Sequence, residues 1–435
     1  MKYRFLIISL MCATGLSAQR PMTLRECIDY ATQRNVQVKL QDIQRRSQEV
    51  SLSTARNARL PQVAAGANQS ISFGRGLTAD NTYANRNTMS TAFNVGLDVP
   101  FFTGFRLPNQ KKQAELNLAA AVADLDRLRE DLSIQVAQAY LQVLYQQELV
   151  SVSEQQIELA HIQYQRIQRF YDNDKASGLE VSEAKNVVAQ DELQLVQNQN
   201  SYNLALLELA QLIEMDSPDS LAVIRPEQID ASILRESPEQ IFRYAVMQKP
   251  AITAQQLRIQ SAERGISIAR AAYYPSLSLS AGLGSSYYKV NGFDATAFGR
   301  QLKDNFSKSI GISLNIPIFN GFSTRNSIRQ AKLEHESAQV QLEQVQKDLF
   351  KDIQTAWYNA RAAQKKYEAS LEAEDVALES FQMMTKKYEY GKANATEYSE
   401  QKTKYTNAVC ERLQAQYEYL FRTKILAFYK GEPLQ

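Results

Sequence analysis

Two acidic residues three apart, Glu397 and Glu400, follow Gly391 in "YEYGKANATEYSEQK" (388–402). That spacing puts both carboxylates on one face of a helix. An earlier stretch, "YDNDKASGLEVSEAK" (171–185), shares Tyr, Lys, Ala, Glu, Ser, Glu and Lys with it. The chemistry on offer is therefore Lys175, Glu180 and Glu183 around Gly178, and Tyr388, Lys392, Glu397, Glu400 and Lys402 around Gly391. Clustered carboxylates can trade protons, hold a metal or attract cations. The remainder of the chain narrows the choice. Its only histidines, His161 and His335, sit in helical surroundings, where a solvated role outweighs a ligand or general-base role. There is no nucleophile triad and no phosphate-cradling loop, and nothing sets the two acid pairs across a cleft. The residues thus predict no enzyme, no cofactor and no metal centre.

The elements that must carry these residues come in two copies. "AFNVGLDVPFFTGF" (92–105) and "SIGISLNIPIFNGF" (309–322) repeat the same alternation, proline and Gly-Phe, 217 residues apart. At that offset Pro100 matches Pro317, Gly104 matches Gly321, Asp131 matches Asp348 and Tyr140 matches Trp357. Upstream, "ARNARLP" (55–61) matches "ARAAYYP" (269–275) at an offset of 214, so the chain is a duplication. Between Phe105 and Arg264 the only glycine is Gly178, and between Phe322 and Lys430 the only one is Gly391. Such breaker-poor stretches rich in Ala, Gln, Glu and Leu are helices interrupted once, so Gly178 and Gly391 are expected to break the tips. Apolar Leu118, Val122, Leu125, Leu132, Val136, Ala139 and Val143 trace a heptad seam of packed helices. An outward helix of about 70 residues is on the order of 100 Å long. Its partner, ending near Ile213, is half that, so a leading helix over 24–56 is expected to cover the rest. The second copy repeats this with 239–272, 323–390 and 396–429. Trp357, which corresponds to Tyr140, is expected to fill a seam or groove position.

Strands bracket the long helices. Phe93, Val95, Leu97 and Val99 alternate with polar neighbours, as do Ile310, Ile312, Leu314 and Ile316, and the partners are 63–73 and 277–284. Two hairpins, four strands in all, cannot close a barrel, since small barrels need about eight, so copies must assemble. The start, "MKYRFLIISLMCATGLSAQ", reads as a secretory signal cleaved after Ala18, with lipidation of Cys12 the lesser reading. Removing Lys2 and Arg4 from 49 basic residues balances the 47 acidic ones, so no nucleic-acid footprint exists. Cys27 and Cys410 remain, too few for a disulfide framework, although one pair between them stays open. No later segment has the roughly 18 apolar residues of a spanning helix. A membrane crossing would fall to the strands, whose greasy-and-polar alternation suits a barrel or a soluble sandwich equally well.

Taken together, "TLRECIDYATQRN", "DVPFFTGFR", "NIPIFNGFS", the duplication and the tips resemble the TolC-like outer-membrane efflux proteins over essentially the whole mature chain. The resemblance implies a mainly α fold with a membrane β-barrel: duplicated long coiled-coil α-hairpins plus two β-hairpins, in a homotrimer whose twelve strands form one barrel continued by an α-helical tunnel. It places the barrel in outer-membrane lipid and the helices in the periplasm. It also implies a periplasmic adaptor and an inner-membrane transporter as partners, as in a tripartite efflux pump, with a type I protein secretion outlet as the alternative. A purely structural coiled-coil envelope protein is the rival of a different class. Residues 1–18 are then the signal, 19–236 the first repeat and 237–435 the second. Pro100, Gly104, Pro317 and Gly321 mark the barrel-to-tunnel transition, the prolines ending the ladders. Tyr388, Gly391, Glu397 and Glu400 match a tip whose acids ring the periplasmic entrance, where six carboxylates of a trimer would attract cations. Where the family has a basic residue two positions after the glycine, this chain has Ala393. Lys392 is expected to replace it by pairing with Glu180, with Lys175, Glu183 and Lys402 as lesser participants. Phe73, Tyr83, Phe101 and Phe102 are candidate membrane-interface aromatics, and the loop 74–88 is expected to face the exterior.

Overall fold

The computed structural model describes residues 20–77, 81–85, 87–225, 236–432 and 434. The expected signal segment with Cys12 and Ala18 lies outside the described residues, as does part of the linker, 226–235. In chain order the elements are β1 (Arg20–Met22), α1 (Leu24–Arg34), α2 (Val36–Asn57), β2 (Gln62–Ser72), β3 (Arg75–Leu77), β4 (Tyr83–Asn85) and β5 (Thr88–Thr103). Helices α3 (Arg106–Tyr171) and α4 (Gly178–Leu212), strand β6 (Leu221–Val223) and helices α5 (Pro238–Gln248) and α6 (Pro250–Arg270) follow. The chain ends with β7 (Ser276–Val290), α7 (Phe298–Asp304), β8 (Ser307–Asn315), α8 (Ser323–Glu389) and α9 (Ala395–Tyr429). The fold is therefore mainly helical with a small sheet, as the breaker pattern predicts. The chain divides into two compact units that each draw on both repeats: Met1–Asp42 with Leu125–Ile252 and Val345–Gln435, and Ile43–Asp124 with Thr253–Gln344.

The unit formed by 43–124 and 253–344 holds an antiparallel sheet in the order β2-β5-β7-β8. Register divides its side chains cleanly. Val63, Ala65, Phe93, Val95, Leu97, Leu279, Leu283, Ile310 and Ile312 share one face, while Asn68, Asn94, Asp98, Ser280, Gly282 and Ser309 share the other. The predicted hairpins are both present, and β5 and β7 join them. Among the described residues, strands β2 and β8 each have one side unpaired.

The two repeated prolines behave differently. β8 stops at Asn315, just before Pro317, but β5 runs through Pro100 to Thr103, with a bulge between Pro100 and Phe102. The expectation that Pro100 ends the ladder is corrected. Beyond Gln62↔Asp98, β5 is paired on one side only, and such an edge with a bulge tolerates a residue that lacks an N–H. The repeated Gly-Phe marks the turn from strand to helix in both halves. Gly104 (φ 61°) and Phe105 (φ 66°) are left-handed, as are Gly321 (φ 59°) and Phe322 (φ 61°). Glycine adopts that conformation freely and phenylalanine does not. The Phe105 ring, packed edge-on against Phe102 at 5.2 Å and Tyr274 at 6.1 Å, supplies compensation.

In the unit formed by 1–42, 125–252 and 345–435, Leu125, Leu132, Val136 and Val143 of the predicted seam are buried with Cys27, Leu209, Ile213 and Leu413. Val122, in the other unit, is exposed, and the buried positions beside it are Ala120 and Ala123. The leading helices, expected to be continuous, are each broken once, at Asn35 and at Lys249. These residues correspond at the offset of 214 and do the same work. The Asn35 amide donates to the carbonyl of Leu212 at 3.1 Å, and the Lys249 ammonium donates to that of Phe428 at 3.2 Å, each satisfying the end of the return helix of its own repeat. Lys249 also pairs with Glu130 at 3.3 Å and lies 3.7 Å from the Phe428 ring centre. Burial holds the Lys249 ammonium below its usual pKa despite that partner. Tyr140 and Trp357 are anchors more than fillers. The Tyr140 hydroxyl donates to the carbonyl of Ile224 at 2.5 Å and accepts from its N–H at 3.1 Å, and the Trp357 indole donates to the carbonyl of Glu236 at 3.0 Å.

A Cβ on Gly104 would lie 2.4 Å from the carbonyl oxygen of Ala271 and 2.9 Å from Cβ of Tyr274, whereas one on Gly321 would meet open space. Gly321→Ala is expected to cost about 1–2 kcal/mol for the left-handed backbone alone. Gly104→Ala should cost about 1–3 kcal/mol more, because a backbone oxygen must move. Thermal unfolding midpoints in detergent check this order, and equal shifts would contradict it.

Candidate functional site at the helical tips

The residues selected for their chemistry gather where α3 turns into α4 and α8 turns into α9. At the second turn Gly391 is left-handed (φ 68°), and its counterpart at the first is Asp174 (φ 55°). Gly178 is therefore not the breaker: it is the first residue of α4. Aspartate tolerates the left-handed region better than most residues, which hides this turn from a search for glycine.

Each return helix opens with a reciprocal capping box. At α4, Glu180 accepts from the Ser177 N–H at 2.6 Å and its hydroxyl at 2.9 Å, and the Glu180 N–H donates back to that hydroxyl at 3.3 Å. At α9, Glu397 accepts from the Asn394 N–H at 3.0 Å and donates its own N–H to the Asn394 side chain at 2.8 Å. Glu180 and Glu397 thus occupy one duplicated position, and Glu183 and Glu400 another. The signal was legible, since Ser-x-x-Glu and Asn-x-x-Glu precede both helices. Hydrogen bonds from Ser177 hold the Glu180 carboxyl below its ordinary value of 4.5. Glu183, Glu397, Glu400, Lys175 and Lys392 are solvent-exposed. The expected pair between Lys392 and Glu180 is not among the ion pairs of the described residues, and Ser177 is the partner that the Glu180 carboxylate has instead.

Other residues link the tips. Arg166 of α3 pairs with the carboxylate of Glu389 at 3.3 Å and donates to its carbonyl at 3.1 Å, joining the ends of the two long helices. Lys402, expected to be a lesser participant, is buried, pairs with Asp191 of α4 at 2.6 Å and reaches the carbonyl of Gln156 at 3.5 Å. Arg166, Glu389 and Asp191 escaped the sequence reading, because contacts 223 and 211 residues apart leave no local pattern. An aromatic ladder runs beside them: Tyr388 on Tyr398 at 4.8 Å, Tyr398 on Phe381 at 5.6 Å, and Phe381 on Tyr405 at 5.5 Å. Burial, then the nearby carboxylate of Glu180, raises the Tyr388 phenol, so it stays a neutral hydrogen-bonding group. A groove of about 240 Å³ lined by Gln163, Glu183, Gln190, Tyr388, Tyr398 and Lys402 lies between the four helices. Among the described residues no cluster of metal-ligating side chains occurs, and no helix is long and apolar enough to cross a membrane. The arrangement fixes helix ends and presents carboxylates to water.

The family described as outer membrane efflux protein matches the chain twice, over residues 27–213 and 243–431. The outer membrane efflux protein BepC of Brucella suis is 24% identical over 319 residues, which cover 73% of this chain and 65% of that relative. The toluene efflux pump outer membrane protein TtgC of Pseudomonas putida is 27% identical over 239 residues, covering 55% and 47%. The chain thus aligns with less than two thirds of the length of either. Among solved structures, the outer membrane protein VceC of Vibrio cholerae superposes with a TM-score of 0.73 at 20% identity, covering 95% of this chain and 97% of that one. The fold is shared at that distance.

Asp191→Ala would leave the Lys402 ammonium buried without its partner, an expected loss of about 3–5 kcal/mol, whereas Lys402→Met, which removes the charge, should cost far less. Hydrogen exchange of the amides in 395–405 measures this, and equal loss of protection would refute the asymmetry. The lowered Glu180 pKa gives a second expectation. Its stabilisation is complete above pH 4.5 and is lost as pH falls through the lower folded value. Amide protection at 178–182, corrected for intrinsic exchange, should fall over that window in the native chain and stay flat in Glu180→Gln, which keeps the cap without the titration.

Proposed function

The chain belongs to the outer membrane efflux protein family, and from that premise we propose that it is the outer-membrane exit channel of a tripartite efflux pump, passively conducting what its partners deliver. The observation that carries this reading is the sheet. Its apolar face bears Lys289 and Lys308 as its only charges, and its polar face bears only Asp98. Lipid on one side and water on the other is the environment such a sheet fits. Its unpaired edges, β2 and β8, would be costly in hydrocarbon, so copies that pair edge to edge into a closed barrel satisfy them. Three copies would supply twelve strands, with the repeats 19–236 and 237–435 alternating around the ring and helices extending the lumen into the periplasm. A periplasmic adaptor and an inner-membrane transporter are the partners, and the chain is a conduit with no catalytic step.

In this assembly Glu397 and Glu400 ring the entrance, joined at the duplicated positions by Glu180 and Glu183, and the Arg166–Glu389 and Lys402–Asp191 pairs keep each subunit's tips together. The ring is tested without disturbing the helix starts by Glu397→Gln with Glu400→Gln, because glutamine serves the capping position as well as glutamate. In planar bilayers the variant channel, left with Glu180 and Glu183 alone, should show a clearly reduced preference for potassium over chloride at low salt, where screening is weakest. An unaltered preference would remove these acids from the entrance.

A further inference from the structure

The connection between β7 and β8 does not project freely from the sheet. Its short helix α7 is stitched to β7: Ser285 donates its hydroxyl to the carbonyl of Leu302 at 2.6 Å, and Asn305 donates its amide to that of Ser286 at 2.7 Å. The Gln301 side chain accepts from the Tyr288 N–H at 2.9 Å and donates to the Tyr288 carbonyl at 3.0 Å, copying a missing strand. The Phe298 ring packs at 6.4 Å from Phe93 and 5.1 Å from Tyr287. Phe93 pairs with Ser285 and Thr91 with Tyr287, so both rings belong to the apolar face, and α7 lies against that face.

Cations flank α7 along the strand, because Lys308 faces Leu283 and Lys289 lies six residues further along β7. Lys289, opposite Met89, and Lys308, opposite Leu283, are the two charges of the apolar face, and α7 adds Arg300 and Lys303, both exposed. The Lys308 ammonium sits 5.7 Å from the Phe306 ring. Asp294 and Asp304 are the only acids of the connection, and among the described residues none of the four cations is in an ion pair. The strand positions at the far end of the same face are bare of charge and carry Leu277 with its partners Phe102 and Leu314. Aromatic rings with long basic side chains at one rim of an apolar band are the pattern of a headgroup interface, where the stem lies in hydrocarbon and the ammonium reaches phosphate.

We propose that Lys289, Arg300, Lys303 and Lys308, arranged around α7, form a binding site for the phosphate groups of an anionic glycolipid in the outer leaflet. This rests on the barrel reading above, and it deepens it by naming the lipid. Phosphate is favoured over a zwitterionic headgroup because four cations face two acids, and a headgroup with more than one phosphate can engage strand and helix cations together.

The test uses the full-length assembly in phosphatidylcholine nanodiscs, with bisphosphorylated lipid A as the probe and native mass spectrometry as the readout of lipid bound per chain. Replacing all four cations with glutamine should weaken retention at least about 10-fold. Arg300→Gln with Lys303→Gln, which touches only exposed positions on α7, should weaken it measurably while assembly is unchanged. Gln301→Ala, which keeps every charge but unseats α7, should weaken it as well. Retention within twofold by the quadruple variant, or equal retention of dephosphorylated lipid A by the native protein, would overturn the site. Conductance of the native protein in pure phosphatidylcholine separates the two readings. Conducting channels without selective lipid A retention would defeat the headgroup site alone, and silent bilayers would defeat the channel beneath it.

Discussion

Everything in the sheet-bearing unit answers to one constraint, the unpaired backbone along β2 and β8. A strand edge exposes a row of N–H and C=O groups, and in hydrocarbon each unsatisfied group costs several kcal/mol. A soluble protein would blunt such edges with charge or proline. Here Val63, Ala65, Ala67 and Ile71 on β2 and Ile310, Ile312 and Leu314 on β8 leave one face of each edge strand apolar, with Lys308 its one charge. Their exposure in a single chain fits the proposed assembly, in which another copy pairs them. In that proposed assembly the segregation of faces follows, because a closed barrel has an inside and an outside and the register of a strand allows only one assignment of each.

Duplication supplied the two hairpins, and the structure shows how the copies diverged while their tasks stayed fixed. Asn35 and Lys249 both break a leading helix and satisfy the last carbonyls of a return helix, one with an amide and the other with an ammonium. A cation at a helix C-terminus gains from the helix dipole, which offsets part of the cost of burying it. Tyr140 and Trp357 both hold a chain segment to a long helix through one polar atom on a large ring. Gly104 and Gly321 share a left-handed backbone, but only Gly104 is also pressed by Ala271 and Tyr274. The conserved quantity between the halves is the geometry each position must serve, not the side chain that serves it.

This explains what could be read in advance. Periodicity, breakers and the repeat identified the long helices and the return helices nearly to the residue and both hairpins by their alternating stretches, since each depends on local pattern, but β5 and β7 run several residues past that alternation. The Gly-Phe turn was marked by its recurrence. Three things were hidden. Asp174 does the work of glycine without being one, Asn35 stops a helix in an otherwise unbroken stretch, and Pro100 lies within a strand because its edge and bulge permit it. At the tips, the acids were found but their first task was not. Glu180 and Glu397 close helix starts through bonds to residues three positions away, whereas the ties that join different helices, Arg166 to Glu389 and Lys402 to Asp191, span more than half the repeat unit of the chain and have no sequence signature.

The division of labour at the tips follows from magnitudes. An exposed ion pair contributes about 0–1 kcal/mol, so Lys175, Lys392 and the exposed glutamates cannot by themselves hold two helical turns together. Stacked aromatic pairs contribute about 0.5–1.5 kcal/mol each beyond their burial, and the ladder from Tyr388 through Tyr398 and Phe381 to Tyr405 makes two of them, joined by one tilted contact. The Lys402–Asp191 pair is worth little relative to an apolar substitute, but it is expensive to separate once buried. Packing within a subunit therefore carries the cohesion of each tip. In the proposed channel that leaves the exposed carboxylates of Glu183 and Glu400 to set the charge that an approaching solute meets, and their field can change without loosening the helices that present them.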